Sequence, residues 1–320
     1  MSSLQNTKQI TLCERVTMQG VGVHSGKPVS MTIHPGDVNT GIVFLRTDPV
    51  TGREFEVPAN YKTVLDTRLC TTIGVAGRGM VATIEHLMAA FFGYGIDNAI
   101  VELDSNEVPV MDGSSRQFLD AFDQAGLKQQ SALRRYLKIL KPVRVESGES
   151  FGELLPYAGR RFEVEISFDC PTIGTQSFRD EMSPAIFREH ISRARTFGFM
   201  RDVKTLWANN LALGSSLDNS VVIDDDDSIV NPEGLRYEEE FVRHKTLDAV
   251  GDLALAGFQI EGIYKSYRGG HTLNFKVLEA LFADDSAWEI TDSEVRVIRE
   301  PGRASYANAA ISPVFGPEVS

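Results

Sequence analysis

The chain of 320 residues carries 44 acidic against 32 basic side chains, a formal net charge of −12, which argues against nucleic acid as a partner and requires a local basic pocket for any anionic small-molecule ligand. A hydrophobic content of 42% and a charged content of 24% are ordinary for a soluble globular protein, and no apolar run approaches the ~20 residues of a membrane span. The opening M-S-S-L-Q-N-T-K-Q-I-T-L lacks a signal-peptide apolar region, and Cys13, Cys70 and Cys170 lie too far apart for a disulfide framework, so the expectation is a cytoplasmic protein of about two domains.

In chain order, strands are predicted over 9–17 and 29–33, flanking the glycine-rich V-G-V-H-S-G-K-P, and over 41–46. Pro49, Gly52, Pro58 and Asn60 then mark turns and short edge elements. His24, in the glycine-rich connection, and His34, before Pro35, read as structural or exposed rather than as ligands. The stretch T-I-E-H-L-M-A-A-F-F-G-Y-G predicts a helix with Thr83 as N-cap, Glu85 and His86 in its first turn, and Gly93 or Gly95 at its end. Glu85 and His86 have two readings. One is an acid favoured by the helix dipole beside a core histidine. The other is a functional pair, pointing about 100° apart, which cannot easily share one ion but can flank one water held at it. A strand over 97–104, the loop N-E-V-P-V-M-D-G-S-S and an amphipathic helix over 115–125 ending at Gly126 follow. Residues 127–136, polar and weakly periodic, read as a linker.

The second half predicts strands at 137–145, 161–168 and 221–223, with turns at Gly148, Gly152, Pro156 and Gly159, and a helix at 184–194. V-K-T-L-W-A-N-N-L-A-L-G-S-S-L is unusually apolar for a connection. It is either a small helix packed on the core or an insertion whose inner face lines an apolar groove. His190, beside Glu189, reads as structurally neutral, and Asp224–Asp227 lacks the spacing of a calcium loop and reads as a solvated turn. From Glu240 to Asp252, E-F-V-R-H-K-T-L-D-A-V-G-D predicts the helix around which the site is organised. His244, Asp248 and Asp252 stand four residues apart and form a slowly drifting stripe. Phe241, Val242, Leu247, Ala249, Val250 and Leu253 surround it, so the helix should be largely buried. Two carboxylates and an imidazole in that setting are costly unless paired or bound to a metal, and His and Asp at i, i+4 can reach one cation. A solvated polar seam with a lone satisfied histidine stays open as the other reading. A strand, a tight Gly269–Gly270 turn, His271 and a last helix over about 273–283 follow. The tail from 300, with Pro301, Pro313 and Pro317, reads as loosely ordered.

T-I-E-H-L, P-V-M-D-G-S, S-R-A-R-T-F-G-F-M-R-D, E-F-V-R-H-K-T-L-D-A-V-G-D-L and G-G-H-T-L-N occur in this order. Together, from about residue 9 to residue 285, they resemble the bacterial UDP-3-O-acyl-N-acetylglucosamine deacetylase family, zinc amidohydrolases of lipid A synthesis. The resemblance implies an α+β fold of two similar domains, 1–128 and 129–300, each a small sheet backed by helices with the active site between them, and an apolar acyl-chain insertion at about 196–220. It implies that His86, His244 and Asp248 hold Zn2+ and that Glu85 is the general base; two histidines and one aspartate suit several divalent ions, so Fe2+ is the alternative. His271, oriented by Asp252, would be the cationic partner, with Thr196 and Lys245 near the reacting amide. Phe168 would stack on uracil and Arg268 would sit near the phosphates. Phe197, Met200, Val203, Ala212, Ser215 and Leu217 would line the passage for the acyl chain. The family often has Gly-Gly-Ser where this chain has Gly214-Ser215-Ser216, so Ser215 would narrow that passage. Cys70 would lie near the metal without being one of its three ligands. The implied partner is an acylated UDP-GlcNAc, the protein acting as a monomer.

Three protein ligands leave the open position that a catalytic zinc needs, whereas structural zinc is closed by four, usually Cys or His. This separates the deacetylase reading from a non-catalytic nucleotide-sugar binder with a structural zinc. A zinc peptidase would normally carry H-E-x-x-H on one helix, a pattern the sequence lacks.

Overall fold

The computed structural model describes residues 8–47 and 51–292; the tail expected to be loosely ordered lies outside them. The first half comprises β1 (Lys8–Leu12), β2 (Val16–Val21), β3 (Pro28–Pro35), β4 (Ile42–Thr47), β5 (Glu54–Pro58), β6 (Val64–Asp66), β7 (Thr72–Val75), β8 (Gly79–Val81), α1 (Glu85–Tyr94), β9 (Ala99–Leu103), α2 (Arg116–Ala125) and β10 (Leu127–Leu133). Five strands form a sheet in the order β2-β3-β9-β4-β5, and β6-β7-β8 form a smaller one. In β3, Val29, Met31 and Ile33 alternate into the core, the period-2 pattern of a strand with one wet face. α1 is buried from Glu85 to Gly93, so its acid and imidazole enter the core with it.

The second half comprises β11 (Arg135–Ile139), β12 (Val143–Ser147), β13 (Ser150–Leu155), β14 (Arg160–Ser167), β15 (Thr175–Glu181), α3 (Pro184–Ile186), β16 (Phe197–Phe199), α4 (Met200–Ala208), β17 (Val221–Ile223), α5 (Glu240–Leu253), β18 (Gln259–Tyr267), α6 (His271–Ala283) and β19 (Trp288–Asp292). β18 is the spine of a seven-stranded sheet. It pairs in parallel with β11 and then with β14 along one edge, and antiparallel with β13 along the other. β12, β15 and β19 extend the sheet outward from these. The whole is the mixed α+β architecture expected.

Several elements differ from the sequence reading. The strand expected over 9–17 breaks after Leu12, where the amides of Cys13 and Glu14 bond to the carbonyls of Gly126 and Ala125. Thr83 does not cap α1. It adopts φ 57°, and its hydroxyl donates to the Glu107 carboxylate at 3.1 Å. The stretch expected as a linker, 127–136, contains β10, which pairs antiparallel with β1. β10 has no buried residue and needs no apolar face, which is why its sequence looks like a connection. The strand expected over 137–145 is interrupted at Leu140–Pro142 into β11 and β12. Gly152 lies inside β13 rather than in a turn; a Cβ there would come within 2.8 Å of Val277 of α6, so glycine lets that helix sit close. The helix expected at 184–194 is one short turn, with Ser183 accepting from the Ile186 amide, followed by a π-turn over Phe187–Ile191. The last helix starts at His271 itself. α4 has no buried residue, and Trp207 and Leu213 are 55% and 49% exposed. The apolar segment is therefore an arm held off the core, not a helix packed on it.

Candidate active site

α1 and α5 approach unusually closely. A Cβ on Gly251 would lie 2.0 Å from the Glu85 carbonyl oxygen, so only glycine at 251 allows the α5 backbone to touch the first turn of α1. That contact brings Glu85 and His86 of the first half to the His244–Asp248–Asp252 stripe of the second. Two of the sequence motifs brace the junction. Asp112 of P-V-M-D-G-S pairs with Arg236 at 2.7 Å, and Ser115, immediately after that motif, donates its hydroxyl to the His86 carbonyl at 2.7 Å. In S-R-A-R-T, Arg195 is 1% exposed and donates through Nε to Glu240 at 2.9 Å, fixing the start of α5.

His86, His244 and Asp248 are all buried, and their ligand atoms lie within 4.8 Å of one another. Asp248 Oδ1 stands 3.4 Å from His244 Nε2 and 3.6 Å from His86 Nε2, and has no hydrogen-bond partner. The other oxygen, Oδ2, accepts from Lys245 Nζ at 2.7 Å. His244 Nδ1 lies 3.1 Å from the Ala194 carbonyl, which requires a proton there and leaves Nε2 as a lone pair. Burial pushes the His244 pKa down to about 3, which keeps that lone pair free at neutral pH. Burial opposes charge on Asp248, but its cationic neighbours outweigh this and hold it well below the usual carboxylate range. An orphaned buried carboxylate oxygen converging with two imidazoles fits a divalent cation. The solvated-seam reading does not hold, since the whole stripe is buried.

Glu85 stands beside this trio. Its Oε2 accepts from the Thr71 amide at 3.0 Å, and its Oε1 is 4.0 Å from His271 Nε2. Burial raises its pKa. His271 Nδ1 is 2.9 Å from Asp252 Oδ2. Burial and a position in the first turn of α6 both disfavour the imidazolium. Asp252, then Asp248 and Glu85, outweigh them, and the pKa is pushed up to about 9. Asp252 is saturated with donors: the Thr71 hydroxyl at 2.6 Å, Asn274 Nδ2 at 2.7 Å and His271.

Phe168, Arg268 and Lys245 line one cavity of about 420 Å³, together with Phe199 and Arg201. Arg268, paired with Glu149 at 3.0 Å, and Lys245 also line an adjoining cavity of about 380 Å³ that His271 borders. Arg201, Lys245 and Arg268 thus gather basic side chains around these cavities in an otherwise acidic chain. Phe197 stands between the two regions, with ring centroids 5.9 Å from Phe168, 4.9 Å from Phe241 and 6.2 Å from His244. Thr196 precedes it, its amide bonded to the Gly113 carbonyl at 2.8 Å. Met200 and Val203 lie on α4; Ala212, Ser215 and Leu217 follow it. Met200, Ser215 and Leu217 are exposed, and Ser215 shares a hydroxyl contact of 3.1 Å with Ser220. The arm docks on the glycine-rich loop, with Leu213 and Gly214 amides donating to His24 and Val23 carbonyls.

Among the described residues, Cys70 joins no group of three candidate ligands. Burial, then Glu85, pushes its thiol up to about 11. His34 pairs with Glu102 at 3.0 Å and His190 is half-buried, and neither joins the metal-candidate group. The sequence reading missed Thr71, Asn274, Phe199, Arg201 and the spacing role of Gly251. Phe199, Arg201 and Asn274 stood inside quoted motifs; Thr71 carries no local signal.

The chain matches the family model described as UDP-3-O-acyl N-acetylglycosamine deacetylase over residues 9–283. Proteins from Brucella ovis, Brucella canis and Brucella melitensis biotype 2, each named UDP-3-O-acyl-N-acetylglucosamine deacetylase, are 52% identical to it over 293 residues. The match covers 90% of this chain and all of each relative.

Proposed function

The chain belongs to the UDP-3-O-acyl N-acetylglycosamine deacetylase family, and from that premise we propose that the buried cluster between α1 and α5 is its catalytic centre. The activity is deacetylation of UDP-3-O-acyl-N-acetylglucosamine, hydrolysis of an amide, in lipid A biosynthesis. The observation that carries the assignment of the centre is Asp248 Oδ1, buried, unpartnered and converging with His86 and His244. Two imidazoles and one carboxylate would hold a single divalent ion; we assign zinc, with ferrous iron as the alternative. When bound, the ion supplies Lewis acidity toward the acetamide carbonyl and toward water.

Glu85 takes the proton from the attacking water. Burial raises its pKa toward the range where a carboxylate is an effective base, and the Thr71 amide fixes one oxygen so that the other faces the reacting centre. His271, held cationic by Asp252, stabilises developing negative charge or gives its proton to the leaving amine. The Thr196 hydroxyl serves as a donor to the oxyanion. Lys245 and Arg268 meet the diphosphate and Phe168 meets the uracil ring. Phe197, Met200, Val203, Ala212, Ser215 and Leu217 form the acyl passage, with Ser215 setting the preferred chain length. The two halves act as domains in a cytoplasmic monomer; the boundary expected at 128/129 falls inside β10, so we place it after Leu133. Support for the division is that Glu85 and His86 come from one half and His244, Asp248 and His271 from the other. No helix among the described residues is long and apolar enough to cross a membrane. Metal analysis of the purified protein, paired with acetate release from the UDP-sugar before and after chelation, tests the assignment. Unchanged turnover by metal-free protein would refute it.

A further inference from the structure

We propose that Glu107 is a positioning residue for the acyl chain: its buried carboxylate pins the glycine-rich loop on which the arm carrying Met200 to Leu217 docks, and so sets the affinity for long chains. The proposal rests on the reading of that arm as the acyl passage. Glu107 is 3% exposed. Its Oε1 accepts from the His24 amide at 2.8 Å and its Oε2 from the Ser25 amide at 3.0 Å. Successive backbone N–H groups turned on one carboxylate make a concavity suited to an anion. The third donor is the Thr83 hydroxyl at 3.1 Å, two residues ahead of Glu85. An ionised carboxylate accepts on both oxygens and donates nothing, which matches this set of three donors.

The arm meets the same loop. The Leu213 and Gly214 amides donate to the His24 and Val23 carbonyls at 3.2 Å and 3.0 Å. His24 therefore gives its backbone N–H to Glu107 and its carbonyl to the arm. Two glycines allow the fit. A Cβ on Gly22 would lie 2.2 Å from Glu107 Oε2, and a Cβ on Gly214 would lie 2.3 Å from the Gly22 carbonyl oxygen. Carboxylate, loop backbone and arm are thus in direct contact through Gly22. α4 buries no residue, so the arm is positioned by its β16–β17 root and by this docking. Loosening the loop lets the arm leave, and a substrate that needs the arm then binds only to the docked fraction. The groups on α1 and α5 that carry out the chemistry stay where they are.

Glu107→Gln is the test. Its single oxygen can keep His24 and Thr83, but its NH2 then faces the Ser25 amide, donor against donor. With the docked fraction cut to about one-tenth, KM for a UDP-sugar carrying a long 3-hydroxyacyl chain is expected to rise about tenfold, with kcat within about twofold. KM for the same sugar carrying a short acyl chain is expected to stay within about twofold, and metal content to be unchanged. Gly214→Ala, which presses the arm off Gly22 without touching Glu107, is expected to give the same split, and the double variant no more than either alone. Should Glu107→Gln fail to fold, Glu107→Asp, whose shorter side chain withdraws the carboxylate from the loop, is read in the same way. A KM raised equally for both substrates, a shared loss of kcat or metal, or additive effects in the double variant would overturn the proposal. If the unaltered protein shows the same KM for both chains, the passage reading falls and the proposal with it. If it prefers the long chain and the Glu107 variants keep that preference, the role of Glu107 alone falls.

Discussion

Replacing Asp252 by Asn removes one charge from the site with little change of shape. The carboxylate accepts from three donors: Thr71, Asn274 and His271. An asparagine at 252 can turn its oxygen to His271 and Asn274 and its NH2 to Thr71, whose hydroxyl can reverse and accept. Folding and metal content should therefore hold. The charge on His271 should not. An anion in hydrogen-bond contact is worth about 1–3 pKa units, and Asp252 is the largest of the three acids lifting His271 from 6.5 to about 9. A loss of about 2 units is expected, or ~2.7 kcal/mol. The sign follows from the group being required in its protonated form: the alkaline limb of kcat/KM moves to lower pH. A limb moved from about 9 to about 7 cuts the protonated fraction at pH 8 from about nine-tenths to about one-tenth, a ~10-fold loss, while at pH 6 the two enzymes converge. A bound cation shifts both curves downward together, so the difference between them is the quantity to measure. The assay is kcat/KM for acetate release from pH 5 to 10, with metal content measured on the same samples. A variant curve that overlays the unaltered one, or that falls by a constant factor at every pH, would refute the Asp252–His271 pairing.

Glu85→Gln should keep its metal and lose about 10²–10⁴ in kcat, checked by metal analysis beside acetate release; purification without metal would mean Glu85 ligates. His244→Ala and Asp248→Ala should each weaken metal affinity by at least about tenfold, read by competition with a chelator of known affinity. Gly251→Ala should destabilise by roughly 1–3 kcal/mol through its contact with the Glu85 carbonyl, even though alanine favours helix over glycine by about 1 kcal/mol. Urea denaturation gives the sign directly. In the metal-free protein, His244, buried neutral with its pKa near 3, should cost stability as pH falls from about 6.5, because the unfolded chain then binds a proton that the folded chain refuses. A melting temperature flat from pH 7 to 5 would contradict this.

The sequence carried those parts of the site that depend on spacing along one element. His244, Asp248 and Asp252 are legible because a helix places every fourth residue on one side. The pairing of α1 with α5 is not, since Gly251 reads only as one late glycine until the Glu85 carbonyl is seen against it. Thr71 and Asn274 reach Asp252 across long sequence separations, and nothing in L-C-T-T or T-L-N-F signals it. Strand prediction failed where a strand lacks a buried face. β10, L-K-Q-Q-S-A-L, buries none of its residues, and β15, T-Q-S-F-R-D-E, buries only Phe178. Their places come from partner strands, which a local pattern does not encode.

Lys245 has a consequence of its own. One ammonium reaches Asp248 Oδ2 at 2.7 Å and also borders both basic cavities. On the assignment made here, it cannot neutralise a ligand carboxylate and a diphosphate independently. When a diphosphate draws it away, Asp248 offers more negative charge to the cation; when a cation holds Asp248, the ammonium is freer for the diphosphate. The two binding equilibria are thermodynamically linked, and the linkage must be reciprocal. UDP alone, without sugar or acyl chain, should tighten metal retention by the same factor by which metal tightens UDP. The nucleotide end of the substrate would thus tune the electrophile it never touches.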